Sequence, residues 1–385
     1  MYSILTLNKI SQKGLSKLDS DKFVCSDNTE NPDAVIVRSA SMHETEFPSN
    51  LLAIARAGAG VNNIPVDKCT ESGICVFNTP GANANAVKEL VICGLFLASR
   101  KISSGIQWCQ TLKDDGNEVS KKVEKGKSAF AGPEILGKKL GIIGLGAIGI
   151  LVANAASALG MDVLGYDPFI SDAAKSRLAD GIEVTSELDR IFVESDYITV
   201  HAPLNDSTRG VINSANLEKA KDGVRILNFA RGELVAEQDI IDALNSGKAA
   251  AYVTDFPTAS QLGVDGVTAI PHLGASTPEA EENCAIMAAQ QLGDYLLNGN
   301  VKNSVNFPAV SSERKAKVRL AVVSHGDVSE NVERALSDAG ILVVNKACGE
   351  RKGIGYAVFD TDSEVTDETI EAIKSADGVA SIRIL

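Results

Sequence analysis

The chain has 385 residues, 44% of them hydrophobic, and a formal net charge of −13. That length suits two or three domains with a sizeable core, and the negative balance argues against nucleic acid or an anionic membrane as partner. No apolar run reaches membrane-spanning length, MYSILTLNKI lacks a signal-peptide pattern, and seven scattered cysteines form no C-x-x-C pair, so a cytoplasmic protein with reduced thiols and no metal site is expected.

In chain order, Tyr2–Leu7, Ala34–Arg38, Leu51–Arg56 and Ile74–Phe77 read as strands. Ala84–Arg100 reads as a helix with a broad apolar surface. Ligands of open α/β sheets bind beyond the carboxyl ends of the strands. Arg38, Arg56 and the loop carrying Asn62 are therefore candidates for substrate contact, although an arginine at a strand end can equally face solvent. Lys101–Gly132 is polar and lysine-rich and reads as one irregular helix plus a loop. Such a run is usually a solvated face; it can also lend positive charge to a neighbouring subunit.

The informative stretch is Leu140–Asp167. A short apolar run is followed by Gly144, Gly146 and Gly149 in G-x-G-x-x-G spacing, a helical pattern, a stop at Gly160, a second strand, and Asp167 at its end. Gly144 permits a tight turn, Gly146 lets the backbone approach a pyrophosphate, and Gly149 lets helix and strand pack closely. The helix N-terminus supplies free N–H groups for phosphate. Asp167 stands where the fingerprint needs an acid for the ribose hydroxyls, and its charge would repel a 2′-phosphate, so NAD is expected over NADP. An ordinary glycine-rich turn does not require this context.

The rhythm continues with Asp196–His201, Gly223–Phe229, the helix Glu237–Asn245, Ala250–Thr254 and Thr268–Ile270. That makes six strands between Leu140 and Thr277. Arg231, Asp255 and His272 stand at strand ends. Oxidation of a 2-hydroxy acid needs a planar cation for the carboxylate, and arginine supplies it. It also needs a group that exchanges protons near neutral pH, and histidine does so. Asp255 is a candidate partner of the nicotinamide carboxamide. Of the four histidines, His43 and His325 lie outside this domain, and His201 suits the adenosine side or a structural role. His272 is the candidate acid/base.

Glu279–Leu297 reads as a long helix crossing back to the first domain, with a closable cleft between the two domains. From Lys317 the order is βαββαβ, a ferredoxin-like unit. The expected architecture is α/β. Two doubly wound, Rossmann-like domains (1–98 with 283–307, and 99–282) are followed by a linker (308–316) and a separate unit (317–385).

The segments IVRSA, RAGAGVNN, VFNTPGANANAVKEL, LGIIGLGAIG, GYDP, VHAPL, NFARGELV, TDFP and PHLGAST together resemble the D-isomer-specific 2-hydroxyacid dehydrogenases. The likeness is greatest to members that oxidise 3-phosphoglycerate, the first step towards serine. It implies NAD as cofactor, a small anionic substrate, and a homodimer or homotetramer. It implies that Arg231 binds the carboxylate and that His272 moves the proton. Ala59, Ala147, Ile148, Asp167, His201, Ala202, Pro203, Phe229, Ala230, Arg231, Asp255, His272, Gly274 and Ala275 would surround the cofactor. Arg38, Ser39, Arg56, Ala57, Gly58 and Asn62 would hold substrate. The tail resembles a ligand-sensing ACT domain, but Ser324–Val328 lacks the Asn and Pro-Gly of serine-binding loops, so assembly is an equally good reading. A second departure concerns the histidine-orienting glutamate that the resemblance implies a few residues after Asp255. Its place is taken by Ala259 or Ser260, and no glutamate occurs between Asp255 and His272.

Overall fold

A computed structural model describes Met1–Leu385. The chain divides into two compact units, Met1–Asn83 with Pro278–Leu385, and Ala84–Thr277.

In the first unit, five parallel strands lie in the order Phe23–Ser26, Tyr2–Leu7, Ala34–Val37, Ala53–Arg56, Cys75–Phe77. The inner strands Ala34–Val37 and Ala53–Arg56 are apolar on both faces, as a covered parallel sheet requires. The helix Pro278–Asn298 covers one face; Pro278 and the acidic Glu279 and Glu281 suit its first turn. Its Ala288, Leu292 and Leu296 share a core with Ile4, Ile36 and Phe77. The short helix Gln12–Leu15 packs closely on it, because a Cβ at Gly14 would lie 2.5 Å from Ala285.

That core continues through Phe307 and Val310 into Ala321, Val323, Tyr356 and Val358. The tail is therefore part of the first compact unit, whereas the sequence pattern suggests a separate body. The reason is a strand face that is apolar on its second side. The tail is a four-stranded antiparallel sheet in the order Val343–Arg351, Ile354–Thr361, Val318–His325, Val379–Ile384. Its helices are Ser329–Asp338 and Asp367–Lys374.

The second unit holds seven parallel strands rather than six. Their order is Val267–Ala269, Ala249–Thr254, Val224–Asn228, Tyr197–Val200, Lys139–Ile143, Asp162–Tyr166, Glu183–Thr185. The order reverses between Lys139–Ile143 and Tyr197–Val200, the switch point at which doubly wound sheets bind ligands. The helix Ala84–Ser99 belongs here and not to the first unit. Gly94 lies against Phe229, where a Cβ would come within 2.7 Å of the ring. Residues 101–132 form two helices, Ile102–Thr111 and Val119–Gly126, not one. Gly116, at φ +51°, breaks the run, and Trp108 pairs with Phe130 at 5.2 Å. No helix is long and apolar enough to cross a membrane.

Candidate active site

The glycine-rich turn follows strand Lys139–Ile143. Gly144 has φ +95°, and a Cβ there would lie 2.8 Å from the Ala202 amide nitrogen, so the turn admits only glycine. A Cβ at Gly149 would sit 2.0 Å from the Gly144 carbonyl oxygen, which fixes the close helix–strand approach. At Gly146 a Cβ would meet nothing within 4 Å. The open space there adjoins the start of helix Ala147–Ala158, whose first amides, at Ala147 and Ile148, lack helical partners. Asp167 ends the neighbouring strand. Its Oδ2 accepts the Leu145 N–H at 3.0 Å and its Oδ1 the Phe169 N–H at 2.9 Å. The arrangement fits a dinucleotide with a free 2′-hydroxyl.

His201, Ala202 and Pro203 follow strand Tyr197–Val200, beside that turn. His201 Nε2 is 3.0 Å from Thr199 Oγ1, and its buried Nδ1 has no partner. Burial pushes the imidazole down to about 4, so it is neutral near pH 7 and unsuited to proton exchange there.

Phe229, Ala230 and Arg231 follow strand Val224–Asn228. The buried Asn228 staples the turn: its Nδ2 donates to the Arg231 carbonyl at 2.8 Å, and its Oδ1 accepts the Ala230 N–H at 3.2 Å. Arg231 is exposed; its Nη1 donates to the Ala230 carbonyl at 2.6 Å. Asp255 ends strand Ala249–Thr254 and is only 1% exposed, with neither oxygen hydrogen-bonded. Desolvation raises its pKa against the opposing pull of His272, the Gly274 amide and Arg231. Gly274 and Ala275 lie on the turn after His272, where a Cβ at Gly274 would be 3.4 Å from Asp255 Oδ2.

One side chain without an assigned role in the sequence connects these groups. The Phe256 ring lies 4.4 Å, centroid to centroid, from the His272 ring, and Arg231 Cζ is 5.9 Å from the Phe256 centroid. Arg231 and His272 therefore both approach one aromatic, the chain neighbour of Asp255. The loop behind it contains the position of the missing glutamate. Ser260 Oγ donates to Glu237 Oε1, and Thr258 Oγ1 donates to the same oxygen at 2.9 Å. These hydroxyls hold the Glu237 carboxyl below its usual range. Only a search outside the Asp255–His272 segment finds this acid.

The first unit carries the remaining candidates. Arg38 Nη1 is 2.6 Å from Glu281 Oε1, and Arg56 Nε donates to the Arg38 carbonyl at 3.0 Å. The guanidinium of Arg56 fills the space beside Gly58, and Ala57 is buried. The Ser39 N–H is held by Asn8 Oδ1 at 2.8 Å. The carbonyls of Ala59 and Asn62 meet Asn78 Nδ2 and His43 Nε2 at 2.7 and 2.9 Å. No group of three His, Cys, Asp or Glu side chains is placed to hold a metal ion.

Residues 95–274 match the NAD binding domain of the D-isomer specific 2-hydroxyacid dehydrogenases. The chain is 41% identical over 273 residues to a hydroxypyruvate reductase of Thermotoga maritima, covering 68% of this chain and 83% of that protein. It is 32% identical over 356 residues to a D-3-phosphoglycerate dehydrogenase of Bacillus subtilis, covering 88% of this chain and 65% of that one. It spans from about half to two thirds of the length of the curated phosphoglycerate dehydrogenases it matches. The NAD+-bound 3-phosphoglycerate dehydrogenase of Entamoeba histolytica is a structural neighbour with a TM-score of 0.59 and 27% identity. That match covers 79% of this chain and 98% of the other.

Proposed function

The chain belongs to the D-isomer specific 2-hydroxyacid dehydrogenase family, and on that premise we propose that it oxidises 3-phosphoglycerate to 3-phosphohydroxypyruvate with NAD. The supporting observation is the approach of Arg231 and His272 to Phe256, next in the chain to the buried Asp255, in the unit that carries the glycine turn and Asp167.

Bound NAD would supply the hydride acceptor for C2 of the substrate. Arg231 grips the carboxylate through its two-pronged guanidinium and draws electron density from the developing keto oxygen. His272 takes the hydroxyl proton, and in reduction returns it. The amides at Ala147 and Ile148 would hold the pyrophosphate, and Asp167 the ribose. Asp255 would hold the carboxamide N–H groups, which would satisfy its two unpartnered oxygens. The tail serves regulation or assembly of a homo-oligomer.

A second reading, reduction of hydroxypyruvate or glyoxylate, is favoured by the 41% identity to a hydroxypyruvate reductase. Initial rates with NADH and a panel of 2-keto acids, with and without phosphate, separate the two. Preference for 3-phosphohydroxypyruvate, abolished in His272→Ala, supports the first. Tight NADH binding without turnover of any 2-keto acid would leave only an NAD-sensing shell.

A further inference from the structure

The loop that carries Phe256 is closed on itself and hydrogen-bonded to a side chain outside it. The Thr258 N–H donates to Gln261 Oε1 at 3.1 Å and the Gln261 N–H to the Thr258 carbonyl at 3.2 Å, with Gln261 3% exposed. The anchor is Glu237, whose single oxygen Oε1 accepts from both Thr258 and Ser260. Glu237 opens the helix Glu237–Asn245, six positions after Arg231. A second contact joins the same two segments: a Cβ at Gly232 would lie 3.5 Å from Phe256 Cβ. His272 is exposed and makes no hydrogen bond within the chain, so its ring plane is set by packing on Phe256.

We propose that Glu237 is a positioning residue: it fixes the Thr258–Ser260 loop, which fixes Phe256, which sets the plane of His272 and the reach of Arg231. This rests on the roles given to Arg231 and His272 above. Its logic is that reacting groups must be held within fractions of an ångström, and an exposed imidazole with one aromatic neighbour takes its order from that neighbour. The hydroxyl bonds stabilise the ionised carboxylate, so the anchor stays charged across the neutral range. A surface loop closed for stability alone has no need to be tied to the arginine-bearing segment.

The test uses the full chain with Glu237→Ala, Glu237→Gln and Ser260→Ala. The ring nitrogen resonances of the four histidines are recorded, with His272 assigned through His272→Asn. In Glu237→Ala the His272 signals should shift and broaden while those of His43 and His325 stay fixed. Glu237→Gln, which keeps an acceptor oxygen, should restore most of the native position. In kinetics, Glu237→Ala should lower kcat at least about tenfold with KM for NADH nearly unchanged, as a misplaced reacting group does. His272 signals identical in Glu237→Ala and wild type overturn the proposal. Should Glu237→Ala fail to fold, Ser260→Ala carries the same comparison. Absence of turnover in the wild-type chain overturns the proposed reaction instead and leaves the resonance comparison intact.

Discussion

The Asp167 carboxylate receives the Leu145 N–H at 3.0 Å, so the acid ending one strand is tied to the glycine turn ending its neighbour. On the proposed reading Asp167 has two duties, selecting the ribose and bracing the glycine turn. Asp167→Asn keeps the acceptor and loses the charge, whereas Asp167→Ala loses both. Both should reduce the preference for NADH over NADPH by roughly tenfold to a hundredfold, the scale of one close charge pair. Only Asp167→Ala should also weaken NADH itself markedly. Dissociation constants for both nucleotides check this.

Gly146 and Gly149 should fail in different ways. Gly146→Ala has free space in the turn, so the melting temperature should hold while NADH affinity falls at least about tenfold, the pyrophosphate losing its close approach. Gly149→Ala drives a methyl group against the Gly144 carbonyl, and overpacking of this kind costs about 1–3 kcal/mol. Denaturation midpoints beside nucleotide titrations separate the two outcomes.

His201 should give the fold an acid-sensitive component. Burial places its folded value at about 4, below the ordinary 6.5. As pH falls through 6.5 the unfolded chain takes up the proton first. Stability is then lost progressively down to about pH 4, by up to ~3 kcal/mol. Above pH 6.5 the residue adds no pH dependence. Replacing it by glutamine should flatten the stability profile between pH 6.5 and 4, and leave it unchanged between 7 and 8. Urea midpoints at each pH provide the measurement.

The tail is fastened by a pair with no solvent contact: Arg319 Nε and Nη2 lie 2.5 and 2.9 Å from the two oxygens of Asp360. Arg319 also donates to the carbonyls of Asn298 and Ser312. Arg319→Met strands a buried carboxylate and should cost about 3–5 kcal/mol, with much of it recovered in Arg319→Met/Asp360→Leu. Equilibrium denaturation of the single and double variants tests this.

The strands most plainly legible in the sequence are those buried on both faces, because an unbroken apolar run such as Ala34–Val37 has one interpretation. Phe23–Ser26 and Glu183–Thr185 escaped reading, being short edge strands with exposed positions. Chain-local chemistry was equally readable, including the glycine triad with Asp167 and the strand ends carrying Arg231, Asp255 and His272. What stayed hidden was contact across sequence distance. Nothing local marks Phe256 as the neighbour of His272, or Ser260 as the partner of an acid on the preceding helix. The shared core of tail and first unit is hidden for the same reason.

The first unit draws its wall from both sides of an insertion: Phe77 meets Tyr295 edge to face at 5.4 Å, yet all of Ala84–Thr277 lies between them in the chain. During synthesis the nucleotide unit emerges complete while the opening five strands still await the helix that covers them. A chain released after Thr277 should therefore contain a protease-resistant nucleotide unit and an uncovered apolar sheet. That sheet is the natural client of a chaperone until Pro278–Asn298 arrives.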